Sequence, residues 1–374
     1  MWYGKSFTAN DGETVEVTTD VWMETLAWTA DYYKNDDTLI GFDLKNEPHS
    51  KYGGAPVDAV WDNSTAENNW KNASEKCANA ILEKNPHALI FIEGVEGYNG
   101  HGAWWGGNLR GVADYPVTPE TGTSQIVYSP HDYGPIVSDQ TWFNKDFTEE
   151  TLLDDYWYDT WAYLCEENIS PLLMGEWGGF IDEEHDADGK NTKWLTLLRD
   201  YMIEHRIHHT FWCFNENSGD TGGLVYDNFG KWDEDKYALV KPALWQDDNG
   251  KFISLDHTIP LGKNGITVSE YYSGSVTPTS PTTQTSASTA VTEATAASET
   301  DADIIYGDVN CDKSVDISDA VLIKCYLINS ENYKISAQGK ANADVQGNGN
   351  GINAQDAVAI QKYILKLVSE LPVA

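Results

Sequence analysis

Over roughly the first two-thirds of the chain, blocks of apolar residues alternate with amphipathic stretches. Between Thr19 and Tyr33 apolar residues recur at helical spacing (Val21, Trp22, Leu26, Trp28, Ala30, Tyr33). That spacing predicts a helix, with Asp20 placed to cap it. An apolar run then stops abruptly in Leu39-Ile40-Gly41-Phe42-Asp43-Leu44-Lys45-Asn46-Glu47-Pro48. Pro48 has no N–H and fixes φ, so a paired strand ends before it and leaves Glu47 at the strand's C-terminal tip. Four further apolar runs of strand length follow: His87 to Gly94, Gln125 to Ser129, Pro171 to Trp177, and His208 to Asn215. Helical patterns separate or follow them, over about Ala66 to Leu82, Glu149 to Glu166, Thr192 to His205, and Tyr237 to Trp245.

Strands that alternate with helices and read as nearly continuous apolar runs predict a parallel sheet buried on both faces. Polar, chemistry-bearing residues recur where those strands end: Glu47, Glu93, His131, Glu176 and Asn215. That placement predicts the α/β class and a (β/α)8 TIM barrel. A closed barrel needs eight strands and five are legible, so the expectation is a partial barrel that lacks its first three strands.

The pattern changes after Tyr272. Residues 273–303 open with a run of Ser, Thr, Ala, Val, Pro and Gln. Such a composition cannot bury a core and predicts an extended linker. An internal repeat follows, in which Asp319-Ala320-Val321-Leu322-Ile323-Lys324-Cys325-Tyr326 matches Asp356-Ala357-Val358-Ala359-Ile360-Gln361-Lys362-Tyr363. The chain therefore divides into a catalytic-type domain at 1–272, a linker at 273–303, and a small helical domain at 304–374.

Each repeat sits behind a loop rich in Asp and Asn. In the first, Asp308, Asn310, Asp312, Ser314, Asp316 and Asp319 fall at positions 1, 3, 5, 7, 9 and 12. Alternate oxygen-bearing side chains around a turn suit Ca2+. Lys313 stands at position 6, where Gly is usual, which puts a strained backbone on a non-glycine residue. The second loop runs from Asp344 to Asp356, one residue longer, with Asn348, Asn350 and Asn353 in place of carboxylates. Its lower charge leaves two readings, a bulged loop that holds calcium or a weak site, and binding is the expectation.

Charge narrows the choice of partners. The 374 residues carry 24 Lys plus Arg against 59 Asp plus Glu, a net charge of −35. Such a surface repels nucleic acid and anionic membrane. A neutral polymer, a cation or a protein partner fits better. No run is long enough for a membrane span, and Met1-Trp2-Tyr3-Gly4-Lys5 has no apolar core behind its charge, so no signal peptide is read there. The 15 Trp all lie between Trp2 and Trp245, and some of them are expected to stack on sugar rings while most form core. Five scattered cysteines with no CxxC define no disulfide framework and read as buried free thiols.

Glu47 and Glu176, each closing an apolar strand, form the arrangement that glycoside hydrolysis uses, with two carboxyls flanking the scissile bond. Taken with Asn46-Glu47-Pro48, His131 and Tyr133, Gly175-Glu176-Trp177, and Trp212 on the last strand, the region from Met1 to Trp245 resembles glycoside hydrolase family 5. Trp104-Trp105-Gly106-Gly107-Asn108 and Asn217-Ser218-Gly219-Asp220-Thr221-Gly222-Gly223 are similar to its bacterial endoglucanases.

The resemblance implies a retaining endo-β-1,4-glucanase acting on cellulose or a related β-glucan. Glu47 is then the acid/base and Glu176 the nucleophile. Asn46 bonds the sugar 2-OH, Tyr133 orients Glu176, His131 holds the acid/base or substrate hydroxyls, and Trp212 floors the sugar ring. Core packing is the rival reading for Trp212, and Glu93 and Glu96 read as supporting or loop charges. At least one of Trp104 and Trp105 is expected to face the glucan. The alternatives are another β-glycan, such as mannan or xyloglucan, or a catalytically impaired glucan- or cohesin-binding fragment.

Residues from about Ile304 to Val373 resemble a dockerin. This implies structural Ca2+, a cohesin module of a scaffoldin as partner, and an extracellular, cellulosome-associated protein with no cofactor for catalysis. The cohesin-facing positions implied are Ile317, Ser318, Lys324 and Cys325, then Ala354, Gln355, Gln361 and Lys362.

Overall fold

A computed structural model describes the chain apart from residues 11, 37, 52, 53, 56, 263, 274–303, 312, 329, 331, 332, 348, 350, 365, 373 and 374, and apart from the side chains of Ile317, Cys325 and Ile328. The linker from residue 274 onward, together with Asp312, Asn348 and Asn350, lies outside the described residues. Two compact units emerge, Met1–Thr277 and Pro278–Ala374.

The first unit is built on five parallel strands: β1 (Gly41–Asp43), β2 (Leu89–Ile92), β3 (Ile126–Tyr128), β4 (Leu173–Trp177) and β5 (His208–Phe211). β1 pairs β2 with Phe42 opposite Ile90, and β2 pairs β3 with Ile90 opposite Ile126. A parallel bridge between Tyr128 and Leu172 carries the sheet from β3 to β4, and Met174 pairs with His209 of β5. Spatial order thus follows chain order, as in a (β/α)8 barrel, and the described residues supply five of its strands. Ile90, Ile92 and Met174 are fully buried, which is why these runs read as continuous apolar strands.

Helices α1 (Thr19–Tyr32), α2 (Trp70–Lys84), α3 (Lys190–Glu204) and α4 (Glu234–Val240) accompany the sheet. The cap of α1 is Thr18, not Asp20: its hydroxyl accepts from the Val21 N–H at 3.1 Å, and Asp20 stands in the first turn. α2 starts at Trp70 rather than near Ala66. Asn69 caps it, and its amide donates to the carbonyls of Asp62 and Ser64, which holds the preceding residues in a loop. The single helix expected over 149–166 is interrupted by a π-helix, Leu153–Ala162. Its wider turn buries Tyr156, Trp157 and Trp161 together. α4 gives way at Lys241–Ala243 to a 3-10 turn, where Pro242 cannot continue the ladder. Cys311, expected to be buried, is an exposed free thiol, whereas Cys77 and Cys213 are buried.

The second unit comprises α5 (Ile317–Ile328), α6 (Ala337–Ala343) and α7 (Ala354–Ile364). Its core pairs the two repeats: Val309 with Val345, Ala320 with Ala357, and Ile323 with Ile360 all sit in one buried cluster.

Candidate active site

Every strand-tip residue singled out by the sequence lies at the C-terminal ends of β1 to β5. Glu47 follows β1 with a left-handed backbone (φ 50°). Pro48 ends the run, and the Glu47 N–H donates to Glu93 Oε2 at 2.7 Å. Glu176 lies within β4, and its strand is tied to the segment after β3 by an N–H of Asp132 donating to the Glu176 carbonyl at 3.0 Å. These two elements bring the carboxylates of Glu47 and Glu176 together, with one oxygen of each within 4.8 Å of the other.

His131 stands between them. Its Nδ1 is 3.0 Å from Glu47 Oε1 and 3.4 Å from Glu176 Oε2. Tyr133 donates its hydroxyl to Glu176 Oε2 at 2.5 Å. The imidazole fits because residue 175 has no side chain: a Cβ there would meet Ser129 Oγ at 2.6 Å and His131 Nε2 at 3.0 Å. Burial pushes the Glu176 carboxyl above the usual range; His131 and the Tyr133 hydroxyl draw it down, and the like charge of Glu47 adds to the rise. Burial beside Glu176 likewise raises the Tyr133 phenol, so it remains a donor.

The carboxylates open into a cleft of about 610 Å3 lined by Asn46, Trp104, Trp105, Tyr133, Trp212 and Asp220 among others. Trp105 (42% exposed) stacks on His49 at 4.5 Å, Trp212 is 44% exposed, and both line the cleft. Trp104 is buried, edge-on to Tyr133 at 6.2 Å. Asn46 is exposed at the cleft wall.

Two carboxyl groups behind the site carry more of its structure than the sequence indicated. Glu93 is fully buried and touches both Glu47 and His131. Asp132 is fully buried, accepts from Trp161 Nε1 at 3.2 Å and Tyr156 hydroxyl at 3.3 Å, and is pushed up to about 7 by burial. The signal for Asp132 was its place between His131 and Tyr133; the aromatic partners come from a distant helix that periodicity could not align.

Residues 2–218 match the family Cellulase (glycosyl hydrolase family 5). The chain belongs to glycosyl hydrolase family 5. Residues 306–365 of this family 5 protein match the dockerin type I domain. Endoglucanase G of Acetivibrio thermocellus is 54% identical over 357 residues, covering 88% of this chain and 60% of the relative. Endoglucanase B of the same organism is 46% identical, covering 83% and 62%. The chain thus spans about 60% of the length of these curated relatives. Among solved structures, a cellotetraose complex of the Pyrococcus horikoshii endocellulase superposes with a TM-score of 0.56 at 34% identity over 65% of each chain. The catalytic domain of the major endoglucanase from Xanthomonas campestris pv. campestris gives 0.54 at 29% identity over 64% of this chain and 65% of that one.

In the dockerin unit the two loops share one frame. Asp319 Oδ1 accepts from the N–H groups of Val309 and Asn310, at 2.7 and 3.0 Å, and Oδ2 from Asp316 at 2.9 Å. Asp356 does the same with Val345, Gln346 and Asn353, each at 2.8 Å. Position 6 is left-handed in both, at Lys313 (φ 73°) and Gly349 (φ 88°). The registers agree through position 6, so the extra residue of the second loop falls between Gly349 and Asn353. Asp308, Asp319 and Asp356 are buried, an arrangement of hard oxygen donors that fits Ca2+. Of the implied cohesin-facing residues, Ser318, Lys324, Ala354, Gln355 and Lys362 are exposed and Gln361 is half-buried.

Proposed function

We propose that this protein is a retaining endo-β-1,4-glucanase of family 5, carried to a cohesin-bearing scaffoldin outside the cell by its dockerin. The close approach of Glu47 and Glu176 carries this reading. Retention needs carboxyls about 5–5.5 Å apart, whereas inversion leaves room for water at roughly 6.5–9.5 Å. Oxygens within 4.8 Å of each other support the first.

In this mechanism Glu47 protonates the leaving glycosidic oxygen while Glu176 attacks the anomeric carbon, giving a glycosyl–enzyme ester. Glu47 then takes a proton from water, which displaces Glu176. Tyr133 holds the attacking oxygen of Glu176 in line, and His131 orients the Glu47 carboxyl. Asn46 bonds the 2-OH, and Trp212 and Trp105 carry the apolar faces of the glucan, with Trp104 behind them. An endo-acting cleft open at the surface suits a neutral chain, and the acidic surface argues against a polyanion.

Dockerin type I domains bind calcium. In this chain Asp308, Asn310, Asp312, Ser314, Asp316 and Asp319 would hold one ion, and Asp344, Asn348, Asn350, Asn353 and Asp356 a second. The ions would fix both loops against the helices that face cohesin.

Soluble sugar release from carboxymethylcellulose and from mannan, with Glu176→Gln as control, tests the function. Release from the first that the substitution abolishes supports it. Release from mannan alone moves the substrate, and no release from either favours a glucan-binding protein.

A further inference from the structure

Glu47 is held from two directions. Its main-chain N–H donates to Glu93 Oε2 at 2.7 Å, and its side-chain Oε1 meets His131 Nδ1 at 3.0 Å. The far nitrogen of the same imidazole, Nε2, is 3.4 Å from Glu93 Oε1. Main chain, carboxyl, imidazole and carboxylate thus close a ring that starts and ends on Glu47. Glu93 is 0% exposed, its Oε1 makes no hydrogen bond among the described residues at this separation, and its carboxyl also neighbours that of Asp43. The pocket is shaped for it: Gly106 (φ 71°) lies so close that a Cβ there would fall 2.1 Å from Glu93 Oε2.

We propose that Glu93 is a positioning residue for the acid/base: it clamps the Glu47 main chain in its left-handed conformation and, as the neutral acid, donates to His131 Nε2 so that Nδ1–H points at Glu47. A left-handed non-glycine residue persists only where its surroundings over-determine it, and the Glu93 bond supplies that constraint. The ring nitrogen that carries the proton is set by what the other nitrogen bonds. Glu47, Glu93 and Glu176 each lie within 3.4 Å of a ring nitrogen of His131, and burial disfavours the charged form of the deepest of them, Glu93. Burial first, then the like charges of Asp43, Glu47 and Glu176, hold the Glu93 carboxyl well above its ordinary range.

The proposal rests on Glu47 being the acid/base, so its test reads His131 without relying on activity. In the full chain labelled with 15N-histidine, the His131 resonances are identified by their loss in His131→Gln. The expected spectrum shows Nδ1 protonated and Nε2 bare. Glu93→Gln retains this tautomer, because its amide also donates to Nε2, and keeps kcat within about threefold. Glu93→Leu averages the tautomers and lowers kcat about 10²-fold, the cost of a misplaced catalytic group, with KM little changed. A wild-type spectrum with Nε2 protonated overturns the proposal even if Glu93→Leu fails to fold, and so does an unchanged tautomer in folded Glu93→Leu. Absence of sugar release with the expected tautomer in place would instead count against the functional reading alone.

Discussion

Tyr133 donates to the one carboxylate oxygen of Glu176, Oε2, that also lies 3.4 Å from His131 Nδ1. The Glu176 carboxylate is therefore held at a single atom by two neighbours, while its other oxygen is free of these contacts. The hydroxyl lowers the Glu176 pKa against the rise that burial causes.

Tyr133→Phe removes that donor and leaves the ring in place. Glu176 must be ionised to attack, so loss of the bond moves the acidic limb of the kcat/KM profile to higher pH. A fall in kcat of about 10- to 100-fold is expected, within the range for losing one charge-assisted contact at a reacting group. A pH–rate profile on a soluble glucan measures it, and an unmoved acidic limb would refute this role for Tyr133.

Gly175 precedes Glu176 where Ser129 Oγ and the His131 ring occupy the space a side chain would need. Gly175→Ala is expected to destabilise the protein by about 1–3 kcal/mol, the usual cost of overpacking. It also displaces His131 from between the two glutamates. Chemical denaturation gives the first effect, and loss of turnover in the remaining folded protein gives the second.

Asp132 gives a pH-dependent stability with a definite sign. Its folded-state pKa of about 7 lies above the ordinary carboxylate value of 3.8. The folded state therefore binds the proton more tightly than the unfolded chain. The stability this confers is complete below the unfolded value and is lost as pH climbs through the interval from about 4 to about 7. Between pH 5 and pH 8 the group accounts for a loss of roughly 2–3 kcal/mol. Asp132→Asn removes this contribution, so the gap in thermal midpoint between pH 5 and pH 8 should narrow relative to wild type. A gap of unchanged size would show that Asp132 does not titrate there.

The strand tips are legible in the sequence. The apolar runs stopping at Asn46-Glu47-Pro48 and at Gly175-Glu176-Trp177 mark them, because an uninterrupted buried strand has few other ways to end. Buried support is not legible. Glu93 reads as one more charge after a strand, and only the fold brings its carboxyl against the Glu47 main chain. The π-helix at Leu153–Ala162 is hidden because its aromatic spacing also suits an α-helix, and the difference lies in which residues reach Asp132. Trp104 and Trp105 are adjacent in sequence, yet one is buried beside Tyr133 and the other exposed, a distinction set by the fold of their loop.

Calcium removal should act on the dockerin unit. Both loops bury aspartates at position 1 or at the last position, where a cation offsets the cost of burying charge beyond what the backbone N–H groups supply. Chelator should lower the helical signal and the thermal midpoint of residues 306–365, and added calcium should restore them. Asp319→Ala should abolish the response of the first loop, since it removes both a proposed ligand and the acceptor for three backbone N–H groups. Retention on immobilised cohesin that survives chelator would contradict this role for the loops.

Double displacement at Glu176, assisted by Glu47, would fix the stereochemistry of the product. It is tested most directly by the anomeric configuration of the first sugar released from a soluble β-glucan, followed by proton NMR before mutarotation. Double displacement predicts that the β-anomer appears first. An initial α-anomer would mean inversion through a water, and would contradict both the nucleophilic role of Glu176 and the acid/base role of Glu47.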